Sequence, residues 1–420
     1  MVEKRILQNG VRLLYEHLEG VRSCAVGVWV ENGSCHEPAH LSGMSHFIEH
    51  MLFKGTETRS ASDLAEAFDA IGGQVNAFTT KEHTCFYART LDVHLQTAAE
   101  LLYDMVHRSV FAPQELELER GVVLEEIGMY EDTPEELAAD LLAAACFPGQ
   151  PLGRPILGRE ETLNTIDHDA MLAYFQSRYV GSNLLITLAG SFTEDDLQAV
   201  GRLFSAIPAG DRAVFPDAVY HPAATEKEKP IEQNHLLMVF PAFPAADPRR
   251  YALAVLNNIL GAGMSSRLFQ RVREQAGLCY SIYSYTTLYA NTGVLGIYTA
   301  LSRETQRDAL RLIREELLRL KETGVTEAEL SRTKDLLKTS LLLGMEGSSA
   351  RMNAIARSEM VYGCQHAPEE TAAALDAVTA EQVLALAREV LDFSAVSFAA
   401  VGKNPSSAAS LALLRGNEEA

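Results

Sequence analysis

An order of strand, helix and helix occurs twice in these 420 residues, so the chain must bury the same kind of surface twice. In the first copy, Phe86-Tyr87-Ala88-Arg89 ends a strand-like run. A helix follows through Leu95, Ala98, Leu101, Leu102 and Met105, and a second starts at Pro113-Gln114-Glu115-Leu116. In the second copy, Val294-Leu295-Gly296-Ile297-Tyr298 reads as strand. A helix through Leu310, Ile313, Leu317 and Leu320 comes next, and another begins at Thr326, with Glu329 at capping-box spacing. Strands in both copies alternate apolar and polar residues, which suits sheets covered by helices on one face. Between the copies, Pro208, Pro216, Pro222 and Pro230 and the run Glu226-Lys227-Glu228-Lys229 break any period. This predicts an N-terminal domain at 1–210, a linker at 211–229 and a C-terminal domain at 230–420.

Thirty-six basic against 56 acidic side chains leave a net charge of −20, which disfavours nucleic acid and anionic membrane as partners. No apolar run approaches the roughly 20 residues that cross a bilayer. Residues 1–10 carry no apolar leader segment, so a cytoplasmic location is the default expectation. Cys24, Cys35, Cys85, Cys146, Cys279 and Cys364 lie far apart and read as reduced, mostly buried thiols.

The chemistry concentrates in His46-Phe47-Ile48-Glu49-His50. On a helix, His46 and His50 lie about 40° apart, and Glu49 about 60° to the other side of His46. Two imidazoles one turn apart can share a metal ion. A carboxylate beside them can take a proton from a metal-bound water, whose pKa zinc lowers towards 7. A third ligand is needed, and the acidic helix at 113–131 offers one. Its apolar stripe is Leu116, Val123, Ile127 and Tyr130. Relative to Val123, Glu119 falls at about −40° and Glu126 at about −60°, both bordering the buried face, whereas Glu125 faces solvent. Carboxylates seldom border a core unless paired or bound to metal. Glu126 is the better ligand candidate, and Glu119 can orient a histidine or Glu126 from behind. Aligning Glu115-Leu116 with Glu329-Leu330 puts Thr333 and Ser340 at the corresponding positions, and the second half has no H-x-x-E-H. If the halves are duplicates, only the first retains the metal apparatus.

These residues resemble the M16 (insulinase, or pitrilysin) metallopeptidases, closest to the shorter processing-peptidase-like subfamily (M16B). That family carries H-x-x-E-H and a glutamate about 76 residues after the second histidine, the separation between His50 and Glu126. Gly72-Gly73-Gln74-Val75-Asn76-Ala77-Phe78-Thr79 with Glu82-His83-Thr84-Cys85-Phe86-Tyr87 is similar to the family's hairpin. Arg273-Glu274-Gln275-Ala276-Gly277-Leu278-Cys279-Tyr280 is similar to its R-x-x-x-G-L-x-Y segment. The resemblance implies an α+β fold of two homologous domains, each a mainly antiparallel sheet covered by helices, facing a chamber. It implies one Zn2+ per chain on His46, His50 and Glu126, with Glu49 as general base and Glu119 behind the ligands. Asn76, Ala77, Phe78 and Thr79 would form a sheet edge that takes a substrate peptide as an added strand. Arg273 and Tyr280 would contact substrate near the scissile carbonyl, Tyr280 stabilising the oxyanion. In short subunits the facing domain belongs to another chain, which implies a homodimer, or a heterodimer with a related subunit. The expected function is zinc-dependent endopeptidase action on peptides or unfolded presequence-like segments. The alternative is a non-catalytic partner or binding subunit of a processing-peptidase-like complex.

Overall fold

The computed structural model describes residues 1–214 and 217–417. In chain order its elements are β1 (Glu3–Ile6), β2 (Arg12–His17), β3 (Ser23–Val30), α1 (Met44–Met51), α2 (Ala61–Ala70), β4 (Gln74–Thr79), β5 (Thr84–Leu91), α3 (Leu95–Arg108), α4 (Pro113–Glu131), α5 (Pro134–Cys146), α6 (Glu160–Leu163), α7 (His168–Arg178), β6 (Leu184–Gly190) and α8 (Glu194–Phe204). Then come β7 (Ala224–Glu228), β8 (Asn234–Ala242), α9 (Arg250–Leu260), β9 (Ser281–Leu288), β10 (Gly293–Leu301), α10 (Gln306–Thr323), α11 (Glu327–Gly344), α12 (Ser348–Tyr362), α13 (Pro368–Asp376), α14 (Ala380–Val390), β11 (Ser397–Gly402) and α15 (Ser407–Arg415). The fold is α+β, as expected.

Two sheets organise it. The first has the order β1-β2-β6-β3-β5-β4, and the second β7-β11-β8-β10-β9. Without β1 the orders correspond strand for strand. The β2–β6 and β7–β11 pairs are both parallel, and every other pair is antiparallel. Two features depart from expectation. First, the stretch read as linker contains β7, whose Glu-Lys alternation hides a strand: it is polar because it is an exposed edge, parallel to β11. Second, the first sheet is covered on both faces, not one. One face packs α1, α3 and neighbouring helices into a core that includes Phe47, Phe86, Leu102 and Ile186. The other carries Leu14, Ala25, Trp29, Leu185 and Ala189 against Met352, Ile355 and Ala356 of α12.

The chain accordingly divides into two units that are not contiguous. One comprises residues 1–127, 154–216 and 343–367; the other comprises 128–153, 217–342 and 368–420. Helix α12 lies on β2, β3 and β6 of the first unit, and α5 on β7, β8 and β11 of the second. These strand sets correspond to one another, so each half of the sequence supplies the outer helix of the other half's sheet. Arg351 of α12 forms a two-pronged pair with buried Glu16, at 2.6 and 2.8 Å, and Glu359 accepts from Lys4 at 2.6 Å. Among the described residues no helix is long and apolar enough to cross a membrane. All six cysteines are free; four are buried, Cys279 is half-buried and Cys364 exposed.

Candidate metal centre

Helix α1 buries Met44, Phe47, Ile48 and Met51, a stripe at helical spacing, and so turns His46, Glu49 and His50 the other way. Its N-cap, Gly43, has φ of 97°, and a Cβ there would stand 2.7 Å from the Leu157 carbonyl oxygen, so only glycine fits. Helix α4 brings the third group. Glu126 Oε2 lies 3.6 Å from His46 Nε2 and 3.4 Å from His50 Nε2. One donor atom from each residue falls within 4.8 Å of the others. Donors about 2.0–2.1 Å from a tetrahedral zinc stand roughly 3.4 Å apart, so these residues fit that ion.

The surroundings of both histidines suit metal ligation. Burial, with a smaller effect of His50, pushes the His46 imidazole down to about 3, which keeps it neutral near pH 7. His50 turns Nδ1 to buried Glu119 Oε1 at 2.9 Å, which leaves Nε2 for the metal. Glu119 is itself held by Lys54 Nζ at 2.5 Å. The Lys54 pairing was not read from the sequence, although its place one turn after His50 was the available signal. Arg120 was also missed; its guanidinium is buried and donates to the carbonyls of Leu163 and Ile166.

Glu49 is half-buried. Burial raises its carboxyl above the usual range, while a hydrogen bond from Thr79 Oγ1 at 2.5 Å and the neighbouring His50 oppose the rise. Thr79, expected among peptide contacts, thus aims its hydroxyl at Glu49. Strand β4 is the edge of its sheet, paired only with β5 among the described strands. At its turn Thr80 N–H donates to the His83 carbonyl, so in antiparallel alternation the N–H and C=O groups of Val75, Ala77 and Thr79 point outward. The Ala77 N–H is met at 2.8 Å by the side-chain oxygen of Asn76. A recess of about 260 Å³ is lined by Glu49, His50, Phe53, Lys54, Asn76, Ala77 and Glu119. Beyond Phe53 a cleft of about 480 Å³ runs between α2 and Gly73–Val75. The arrangement joins three donors that could hold a metal ion, a neighbouring carboxylate and an open strand edge. Phe78 packs edge-on against Trp29 instead of entering the recess. Arg273 and Tyr280 belong to the other unit, where the guanidinium lies 5.3 Å from the Tyr280 ring and that tyrosine is 75% exposed.

The site is a His-His-Glu group able to hold a metal ion, on a duplicated α+β fold. The chain belongs to the insulinase family, peptidase family M16: residues 12–160 match that family's model, and residues 165–337 match the model of the M16 inactive domain. The uncharacterized zinc protease YmxG of Bacillus subtilis is 41% identical over 409 residues, covering 97% of this chain and all of the relative. An uncharacterized zinc protease of Mycobacterium leprae is 40% identical, covering 92% and 88% of the two chains. Among solved structures, a peptidase M16 inactive domain from Pseudomonas fluorescens superposes with a TM-score of 0.90 at 20% identity, covering 96% and 98%. A protease from Helicobacter pylori gives 0.89 at 19%, covering 96% and 99%. These two likenesses concern the fold.

Proposed function

We propose that this protein is a zinc-dependent endopeptidase that cleaves peptides or unfolded, presequence-like segments bound as an extra strand on β4. The observation that carries this reading is the convergence of His46, His50 and Glu126 beside Glu49, next to an unpaired strand edge. Bound there, one Zn2+ per chain would supply a Lewis acid and an acidified water. The chain's own groups do the rest. Val75, Ala77 and Thr79 offer outward backbone groups to an extended peptide, and the Asn76 amide yields the Ala77 N–H to it. Glu49 accepts the proton of the attacking water and returns it to the departing amine. Thr79 holds Glu49 in place, and Glu119 with Lys54 holds His50.

Arg273 and Tyr280 complete the reading as groups near the scissile carbonyl, acting in a cytoplasmic dimer across a chamber, with Tyr280 as oxyanion donor. The exposure of Tyr280 and its stacking with Arg273 suit that role. Mixed dimers of a Glu49→Gln chain and a Tyr280→Phe chain are expected to exceed both parents in activity. No recovery in verified mixed dimers would remove the action in trans.

The peptidase reading is tested with a library of quenched peptides, comparing wild type, Glu49→Gln and chelated protein. Cleavage by the wild type alone is the expected result. Stoichiometric zinc without cleavage, alone or with a related subunit, would instead favour the non-catalytic partner subunit.

A further inference from the structure

Helix α1 has eight residues, two of them metal ligands, and no side chain at its N-cap, because that position is Gly43. The first N–H groups of a helix need partners. Here they find one outside the helix. Glu37 Oε2 accepts from Gly43 N–H at 2.8 Å and Glu37 Oε1 from Ser45 N–H at 2.6 Å. The second bond fixes the backbone one residue before His46. A carboxylate in this place is favoured by the partial positive charge of the helix terminus and by charge-assisted bonds.

Glu37 is 3% exposed, and burial pushes its carboxyl up to about 7 although both N–H groups pull it down. Keeping a carboxyl so buried is costly unless it is fully bonded. The surroundings hold it. The Arg154 guanidinium donates to the Glu37 carbonyl, Asn32 Nδ2 donates to Ser45 Oγ at 3.3 Å, and Tyr174 donates to Asn32 at 3.2 Å. By contrast, among the described residues no side chain or backbone group bonds the buried Nδ1 of His46, whereas Glu119 holds Nδ1 of His50. The backbone of α1 is therefore a main determinant of how His46 is presented.

We propose that Glu37 is a positioning residue for the metal centre: by capping α1 through Gly43 and Ser45 it sets how His46 and His50 present their Nε2 atoms. The inference rests on reading His46, His50 and Glu126 as a metal site. It is tested by competition titration with Zn2+ and by the absorption spectrum of the Co2+ form, at about pH 8, where the Glu37 carboxylate prevails. Glu37→Gln turns an N–H donor towards one of the two backbone donors. Glu37→Asp keeps the charge but withdraws it by one methylene. Glu16→Gln, on the α12 side of the same sheet, is the control for lost stability. We expect both Glu37 variants to bind zinc about 10- to 100-fold more weakly, with an altered cobalt spectrum. The control should melt earlier yet bind zinc as the wild type does. Wild-type affinity and spectrum in the Glu37 variants that fold would overturn the proposal and leave the metal site standing. Absence of zinc binding by the wild type would instead sink the metal reading, and this inference with it.

Discussion

Glu49 has two opposing influences on its carboxyl: burial raises it, and the Thr79 hydroxyl and His50 lower it. A hydrogen bond donated to a carboxylate favours the charged form. Replacing Thr79 by valine removes that bond, so the carboxyl must rise further. If ionised Glu49 is the base, the acid limb of the pH–rate profile should then move to higher pH, and kcat should fall roughly tenfold. Zinc content should not change, because Thr79 is no ligand. An unmoved acid limb would show that Thr79 does not govern the base. At this scale the sequence was legible where helical angles decide the outcome. Glu119 and Glu126 border the core of α4 as their angles from Val123 require, and Glu125 is exposed. Glu37 and Thr79 were not legible in these roles, because each meets its partner through a fold-dependent contact that no local period encodes.

Strand β4 leaves one side of its backbone open. Among the described residues the outward N–H of Ala77 bonds within its own strand, to Asn76, and not to β5. Proline at 77 therefore removes a group offered to substrate without breaking the β4–β5 ladder, since an edge strand tolerates proline where the N–H faces away from the sheet. Ala77→Pro is expected to keep the wild-type zinc content and to lose at least about tenfold in hydrolysis of extended peptides, a loss worth roughly 1.4 kcal/mol. Undiminished cleavage would mean that peptides do not add to this edge. The hairpin was readable from its residues. Strand β7 was not, since an exposed edge strand shows no apolar alternation and its pairing with β11 lies far along the chain.

For the whole molecule, the exchange of α5 and α12 makes the two halves interdependent. The strand–helix–helix order showed duplication but not which sheet each outer helix covers, because that choice involves contacts far apart in the chain, such as Arg351 with Glu16, 335 residues away. Residues 1–210 alone would lack α12 and expose Leu14, Leu185 and the face of Trp29 that meets Met352. Trp29 is the only tryptophan and reports the event directly. Its emission should be red-shifted in the isolated fragment and recover when residues 211–420 are added. A monomeric 1–210 fragment with native emission would contradict the exchange. Within the intact chain, Met352→Ala should cost about 2–5 kcal/mol, read by denaturant unfolding.

The central claim separates residues that hold the metal from the one that uses it. Zinc per chain and peptide cleavage, measured on the same samples of wild type, Glu49→Gln and His50→Ala, test that separation most directly. The expected result is one zinc per chain in wild type and Glu49→Gln, little in His50→Ala, and cleavage by the wild type alone. Full zinc in His50→Ala, or full cleavage by Glu49→Gln, would contradict it.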